Sequence, residues 1–327
     1  MMLQDSERKF ARRVLSFATR SVLVGAGLLV LSAVAMGQPA VSVGLPGEAG
    51  EWSVQEQNVG GFPTEEITVS IAGVGTFHVA PTDLQQARPD LFQPGRFSVF
   101  DVIARLGEGG DIDLVSHYDE EAATHVVDSI NGSDRWWYEA HYDSGWFERN
   151  AFRIDHYPVK NGTTIRLSRI SSRQWNGIHD EFREETSRLA ANGGSVIVPS
   201  VVTQGPRRQS LKFENVAVTA HGVRSDIFRS GVITALDIIL SLGEQGALDE
   251  VGLTWYDQIG AADPVDHYFI ERIVAGELRF QASGGCGFVY EVGSTAFDGF
   301  AGSHIHIPTD ARIIVSPEYA LWFWLCL

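Results

Sequence analysis

Asp90–Gly110 reads DLFQPGRFSVFDVIARLGEGG, and Asp226–Gly246 reads DIFRSGVITALDIILSLGEQG. Nine of these 21 positions are identical without a gap: Asp90/Asp226, Phe92/Phe228, Gly95/Gly231, Asp101/Asp237, Ile103/Ile239, Leu106/Leu242, Gly107/Gly243, Glu108/Glu244 and Gly110/Gly246. Self-similarity of this kind marks an internal repeat and decides the architecture before any single element is assigned. The chain carries two copies of one unit.

Each copy encodes a short helix. Ser98 and Thr234 stand where an N-cap hydroxyl belongs, and Asp101 and Asp237 follow at the third helical position, a capping box with Asp in place of Glu. Val99, Val102, Ile103 and Leu106, repeated as Ala235, Ile238, Ile239 and Leu242, form the i, i+3, i+4, i+7 stripe of a helix with one buried face. Gly107 and Gly243 are expected to take the left-handed conformation that ends it.

The stripe needs an apolar partner, and strand patterns flank it. Ile67–Val79 alternates around a turn at Gly73, a hairpin signal, and Leu211–Ala220 offers the equivalent strands of the second copy. After the helices, Tyr118-Asp119 matches Tyr256-Asp257, His125 matches His267, Tyr138-Glu139 matches Tyr290-Glu291, and His156-Tyr157-Pro158 matches His306-Ile307-Pro308. Thr164–Leu167 and Arg312–Val315 read as closing strands. The fold class is therefore α+β: two tandem units, each a mixed sheet with one short helix across it. We set the units at 62–168 and 208–327, with a linker at 169–207 that holds a surface helix (Ile178, Phe182, Leu189) ended by Asn192-Gly193-Gly194, and a further strand at Val196–Gln204.

Residues 1–37 have the form of a secretory signal. Arg8, Lys9, Arg12, Arg13 and Arg20 precede the apolar run Ser21–Ala35, and small residues follow. The alternative is an uncleaved anchor, although the run falls short of the roughly 20 apolar residues that span a bilayer comfortably. Residues 38–61 are a leading arm. The 327-residue chain has 44% hydrophobic and 20% charged residues, a globular composition. Its formal charge is −16; residues 1–37 hold five basic and two acidic residues, so their removal gives −16 − 3 = −19. Such a body repels phosphate backbones and anionic lipid heads, which argues against nucleic-acid or membrane-surface partners.

Three stretches carry a family resemblance: the capped helix, the aromatic strand Trp136-Trp137-Tyr138-Glu139-Ala140, and the turn Asp155-His-Tyr-Pro-Val-Lys-Asn-Gly162 before Thr163-Thr-Ile165. Together they resemble the transcobalamin C-terminal-like domains, a β-grasp type found in exported bacterial proteins, and they cover most of the first unit. In the second unit Thr309-Asp310-Ala311 replaces the Lys-Asn-Gly turn, and the family's Asn-Gly after the aromatic strand is absent from His141-Tyr142-Asp143. The resemblance implies a β-grasp fold and, among ligands, a corrinoid; no corrinoid-binding residue carries over position by position.

Several constellations are candidates for chemistry. Alternation puts Trp137, Glu139 and His141 on one face of their strand with Trp146 and Phe147 nearby, and Glu291 at the matching place in the second unit. Aromatic rings beside a carboxylate suit sugars or flat rings; the competing reading is core packing. His304 and His306 alternate onto one strand face as a metal pair would, and His125, His156 and His267 extend a metal or haem hypothesis, against structural histidines inherited from one ancestor. Cys286 and Cys326, the chain's two cysteines, fit either one disulfide or two buried thiols. Asp111 and Asp113 fall short of a calcium loop. No G-x-S-x-G, P-loop, H-E-x-x-H or dinucleotide fingerprint occurs. Tyr319–Leu327 is apolar on both faces, a strand buried between units or docking on a partner.

The reading is an exported, non-catalytic binding or interaction module, periplasmic, cell-surface or secreted, whose partner is a small molecule or another protein. A His-based metal or haem protein is the first alternative. A polysaccharide hydrolase using Glu139 or Glu291 is the second.

Overall fold

The computed structural model describes residues 63–141, 148–149, 152–259, 264–294 and 308–326. Residues 1–62, which include the segment read as a signal and the arm at 38–61, lie outside them, as do Trp146, Phe147, His304 and His306. In the first repeat, β1 (Ile67–Ile71) and β2 (Gly75–Val79) form the expected hairpin, with Gly73 at φ 74° in its turn. Then come α1 (Val99–Glu108), β3 (Leu114–Asp119), β4 (Thr124–Ile130), β5 (Ser133–Asp134), β6 (Trp136–His141), β7 (Glu148–Arg149) and β8 (Thr164–Arg169). The main sheet runs β2-β1-β8-β6-β7, with β1 and β8 parallel and the other pairs antiparallel. β3-β4-β5 is a separate small sheet.

After α2 (Ser172–Ala191), the second repeat follows the same plan. It comprises β9 (Val196–Gln204), β10 (Ser210–Val218), α3 (Ala235–Glu244), β11 (Glu250–Tyr256), β12 (His267–Ala275), β13 (Leu278–Gln281), β14 (Cys286–Gly293) and β15 (Tyr319–Cys326). Its main sheet is β10-β9-β15-β14, again with a parallel central pair, and β11-β12-β13 is its small sheet. Two expectations need correction. Leu211–Ala220 is one strand, β10, and its hairpin mate is β9, from the stretch read as linker. The closing strand is Tyr319–Cys326, because the backbone of Arg312–Ile314 bonds to residues beside the start of α3 (Ala235 N–H to Arg312 O, Ile314 N–H to Ile233 O) and so has no ladder to join.

Both helices start on their capping boxes. The Ser98 amide donates to Asp101 Oδ2 at 2.6 Å and the Thr234 amide to Asp237 Oδ2 at 2.6 Å. They bury Val99, Ile103 and Leu106, or Ala235, Ile239 and Leu242, in the same hydrophobic core as Ile67, Val69, Ile165 and Leu167 of the first sheet and Val198, Tyr290, Val292 and Trp322 of the second. The helices run past Gly107 and Gly243; the left-handed residues are Gly110 and Gly246, at φ 75° and 72°. Gly107 has a different duty: a Cβ there would lie 2.7 Å from Cβ of Leu114.

α2 is no loose surface helix. Ile178 and Phe182 are buried, and the helix roofs Trp137, whose indole lies 6.1 Å from Trp175, 5.9 Å from His179 and 6.3 Å from Phe182. Arg153, itself buried, ion-pairs with Glu185 and donates to the Phe182 carbonyl. No helix of the described residues is long and apolar enough to cross a membrane.

The repeats meet through the same segment of each. The Gln93 amide donates to Ile227 O at 2.8 Å, the Arg229 amide donates to Leu91 O at 2.8 Å, and the rings of Phe92 and Phe228 pack at 5.6 Å. Positions 91/227, 92/228 and 93/229 share the repeat offset of 136, so the contact is isologous within one chain.

Candidate binding site

Each repeat is pinned by a buried carboxylate. Asp155 accepts from Arg88 Nη1 (3.0 Å), Thr124 Oγ1 (2.5 Å), the His125 amide (3.0 Å) and His125 Nδ1 (2.9 Å). Asp310 accepts from Arg224 Nη1 (3.0 Å), His267 Nδ1 (2.8 Å) and the Tyr268 amide (2.9 Å). Arg88 also grips Asp90 through Nε and Nη2, and Arg224 grips Asp226 in the same fork. Burial alone would raise these carboxyls, but the donors outweigh it: Asp310 falls to about 2, and Asp155 lies well below the usual range. His156 and His267 are driven down to about 3 by burial, so both rings are neutral. Arg88 Nη1 donates to His156 Nε2 at 3.1 Å, which places that ring's proton on Nδ1. Arg224 Nη1 also comes within 2.7 Å of His267 Nδ1, an atom that cannot both accept from arginine and donate to Asp310. The consistent assignment is donation to Asp310, with the arginine proton directed to Asp310 Oδ2 and the Asp266 carbonyl, both at 3.0 Å.

These partners correct the sequence correspondence. Tyr118 faces His125 across β3–β4, with Arg88 over the Tyr118 ring; Trp255 faces Tyr268 across β11–β12, with Arg224 over the Trp255 ring. His125 therefore occupies the place of Tyr268, and Thr124 that of His267. Val99 N–H bonds to Tyr157 O as Ala235 N–H bonds to Arg312 O, so His156 corresponds to Ala311, not to His306. The repeat preserves the Arg-x-Asp fork and the central Asp, and neither histidine pair. The signal stood in the sequence: Arg88-Pro-Asp90 and Arg224-Ser-Asp226 lie at the same offset of 136, two residues upstream of the matched stretch.

The remaining candidates divide as follows. Trp137 is 5% exposed beneath α2, so it is no outward platform. Glu139 and His141 are half-buried on the outer face of the first sheet, where Glu139 joins Ser70, Thr76 and Arg166 along an open polar groove. Glu291 lies on the second sheet and receives the Tyr319 hydroxyl. His125 and His156 meet at Asp155, whereas His267 belongs to the other repeat's hub; among the described residues no three His, Cys, Asp or Glu side chains converge in a metal-holding group. Cys286 and Cys326 face each other across β14–β15 and are joined in a disulfide.

A cavity of about 140 Å³ opens between the repeats. Its walls include Arg96, Tyr157, Lys160 and Thr163 from the first repeat and Arg224, Ile227, Asp266, His267 and Ala311 from the second. Arg96 is buried and donates Nε to the Asp226 carbonyl at 3.1 Å; its Nη2 lies 3.6 Å from the Asp226 carboxylate. Lys160 Nζ donates to the Val265 carbonyl at 2.5 Å. Burial depresses both cations, with Arg224 adding repulsion and nearby carboxylates opposing it; the Lys160 amine falls to about 7. Among the described residues the cleft is lined by three basic side chains, Arg96, Lys160 and Arg224, and one carboxylate, Asp266. Sequence reading did not single out Arg96 or Lys160, since an isolated basic residue has no pattern to mark it.

Set against known proteins, the chain matches no family model, no curated protein and no solved structure.

Proposed function

We propose that this chain is an exported, non-catalytic binding module made of two β-grasp-like repeats, with its ligand site in the cleft between them. The observation that carries the reading is the cleft itself: it draws charged side chains from both repeats into one enclosed space, which neither repeat could build alone. The β-grasp assignment is supported by the parallel pairing of each repeat's first and last strands, flanked by a hairpin, with one helix on the inner face. Export is supported by the basic and apolar composition of residues 1–37 and by a disulfide, which belongs to oxidising compartments. A cavity of about 140 Å³ is smaller than the roughly 300–1,000 Å³ typical of sites for drug-sized ligands, so it favours a compact ligand over a corrinoid or haem macrocycle.

The test uses mature protein isolated from the extracytoplasmic fraction of the producing cell. A panel of small molecules is screened by thermal shift, and hits are titrated against the parent and against Pro264→Trp, which places an indole at the cleft wall. We expect saturable one-to-one binding that Pro264→Trp removes. Turnover of a hit that disappears on changing one acidic or histidine side chain would overturn the non-catalytic reading, and recovery only from the cytoplasm would overturn export.

A further inference from the structure

The main sheet of the second repeat ends in an open edge. Among the described residues β10 pairs with β9 alone, and no strand lies beyond it. The hairpin fixes which backbone groups that edge presents. The Gly205 amide donates to Gln209 O at 2.9 Å, and the register from Gln204↔Ser210 to Ser200↔Glu214 runs without a shift. Bonded and non-bonded pairs alternate along an antiparallel ladder. Leu211 and Phe213 therefore bond to β9, and the amides and carbonyls of Ser210, Lys212 and Glu214 point to the open side. Asn215, at φ 52°, interrupts the extended backbone after Glu214, so the straight part of the edge is Ser210–Glu214.

Lys212 and Glu214 are both exposed and share the outer face of this edge. β2 holds the same place in the first repeat, and GTFHV contains no lysine, arginine or carboxylate. The charged pair is thus no requirement of the repeat's fold. A lysine on an edge strand guards it against stray pairing. A lysine and a glutamate two residues apart do more, because they reject every partner strand except one of matching charge.

We propose that β10 pairs with β10 of a second copy of this chain, antiparallel about a two-fold axis at Phe213, and joins the two second-repeat sheets into one. In that register Lys212 of each copy faces Glu214 of the other on the outer face. The amides and carbonyls of those two residues, already directed outward, exchange bonds. The two Phe213 rings, packed against the core and partly buried, meet across the axis on the inner face. The contact is isologous, as a closed dimer requires. Neighbouring registers fail on charge or length. Centring on Lys212 sets lysine on lysine, centring on Glu214 sets carboxylate on carboxylate, and centring on Leu211 carries Glu214 past the end of the partner strand. Edge pairing buries less surface than a standard interface, so the dimer forms and dissociates with concentration.

Sedimentation velocity of the full chain, from low micromolar to millimolar concentration, is the test. We expect a monomer–dimer equilibrium whose dissociation constant rises about tenfold or more in Lys212→Glu and in Glu214→Lys. An equimolar mixture of the two variants should recover the dimer, since each charge then meets its opposite, and the double reversal in one chain should dimerise like the parent. Both positions are exposed, and circular dichroism checks that each variant is folded. A dimer indifferent to either reversal meets through another surface and overturns the proposal. So does a chain that stays monomeric throughout. In that case hydrogen exchange tells why: protected Lys212 and Glu214 amides mean that a segment of the same chain covers the edge, and freely exchanging ones mean that it stands open.

Discussion

Asp310 accepts three donors in a site with no water contact, and its charge is the counterweight to buried Arg224. Asp310→Asn keeps the shape and removes the charge while Arg224 keeps its fork on Asp226, so it should destabilise by about 1.5–3 kcal/mol, the scale of a lost charge-assisted bond; urea unfolding measures it. Asp310 has a folded pKa of about 2, below the roughly 3.9 of an unfolded Asp. Its contribution is therefore whole above about pH 4 and is lost as pH falls toward 2. His156 and His267, held near 3, refuse the proton that an unfolded histidine takes near 6.5, so the fold weakens from about pH 6.5 downward. Glu181 acts in the opposite sense. Burial and the adjacent Glu185 push it well above the carboxylate range, so the folded state keeps a proton that the unfolded chain releases above about pH 4.5. Stability should fall with rising pH through neutrality on its account. A melting series from pH 3 to pH 9 should show both flanks, and Glu181→Gln should flatten the alkaline one while leaving the acid one.

Among the elements, α2 is the one whose role was least visible in the sequence. Its apolar residues Ile178, Phe182 and Leu189 marked a helix, and a helix formed; what they could not say is that its partner is Trp137. Phe182→Ala should cost about 3–5 kcal/mol, as large aromatic truncations in cores do, and should red-shift the tryptophan emission as Trp137 gains water. α1 and α3 were legible because the 3.6-residue period, the capping box and the duplication agreed. The central strand β15 was legible as a buried strand, because Tyr319–Leu327 is apolar on both faces, but not as the closing strand. Arg312–Val315 has stronger strand composition, yet its backbone is spent on the residues that open α3. The histidine correspondences slipped by one residue in β4 and β12 because imidazole was tracked, while the preserved feature is a carboxylate that takes a hydroxyl from Thr124 in one repeat and an imidazole N–H from His267 in the other. The cleft was illegible because its basic residues Arg96 and Lys160 lie 64 positions apart in the sequence, and only folding brings them to one cavity.

At the scale of the whole molecule, the isologous contact between Leu91–Gln93 and Ile227–Arg229 should hold the repeats together without a covalent linker. A protease site placed at the exposed Gly193-Gly194 turn and cut after folding should leave two fragments that co-elute on size exclusion; separation under native conditions would show that the linker does the holding. Reducing Cys286–Cys326, which closes a loop of sequence separation 40, should cost about 2–4 kcal/mol, read as a shift of the urea midpoint with and without reductant. The parallel pairing of β9 with β15 also sets a timetable. Val196 and Tyr319 lie 319 − 196 = 123 residues apart, and a chain made at about 5–20 residues per second leaves β9 without its inner neighbour for roughly 6–25 s. During that interval the nascent second repeat presents a bare, Val-rich edge, so the yield of folded protein should depend on what shields that edge as well as on final stability.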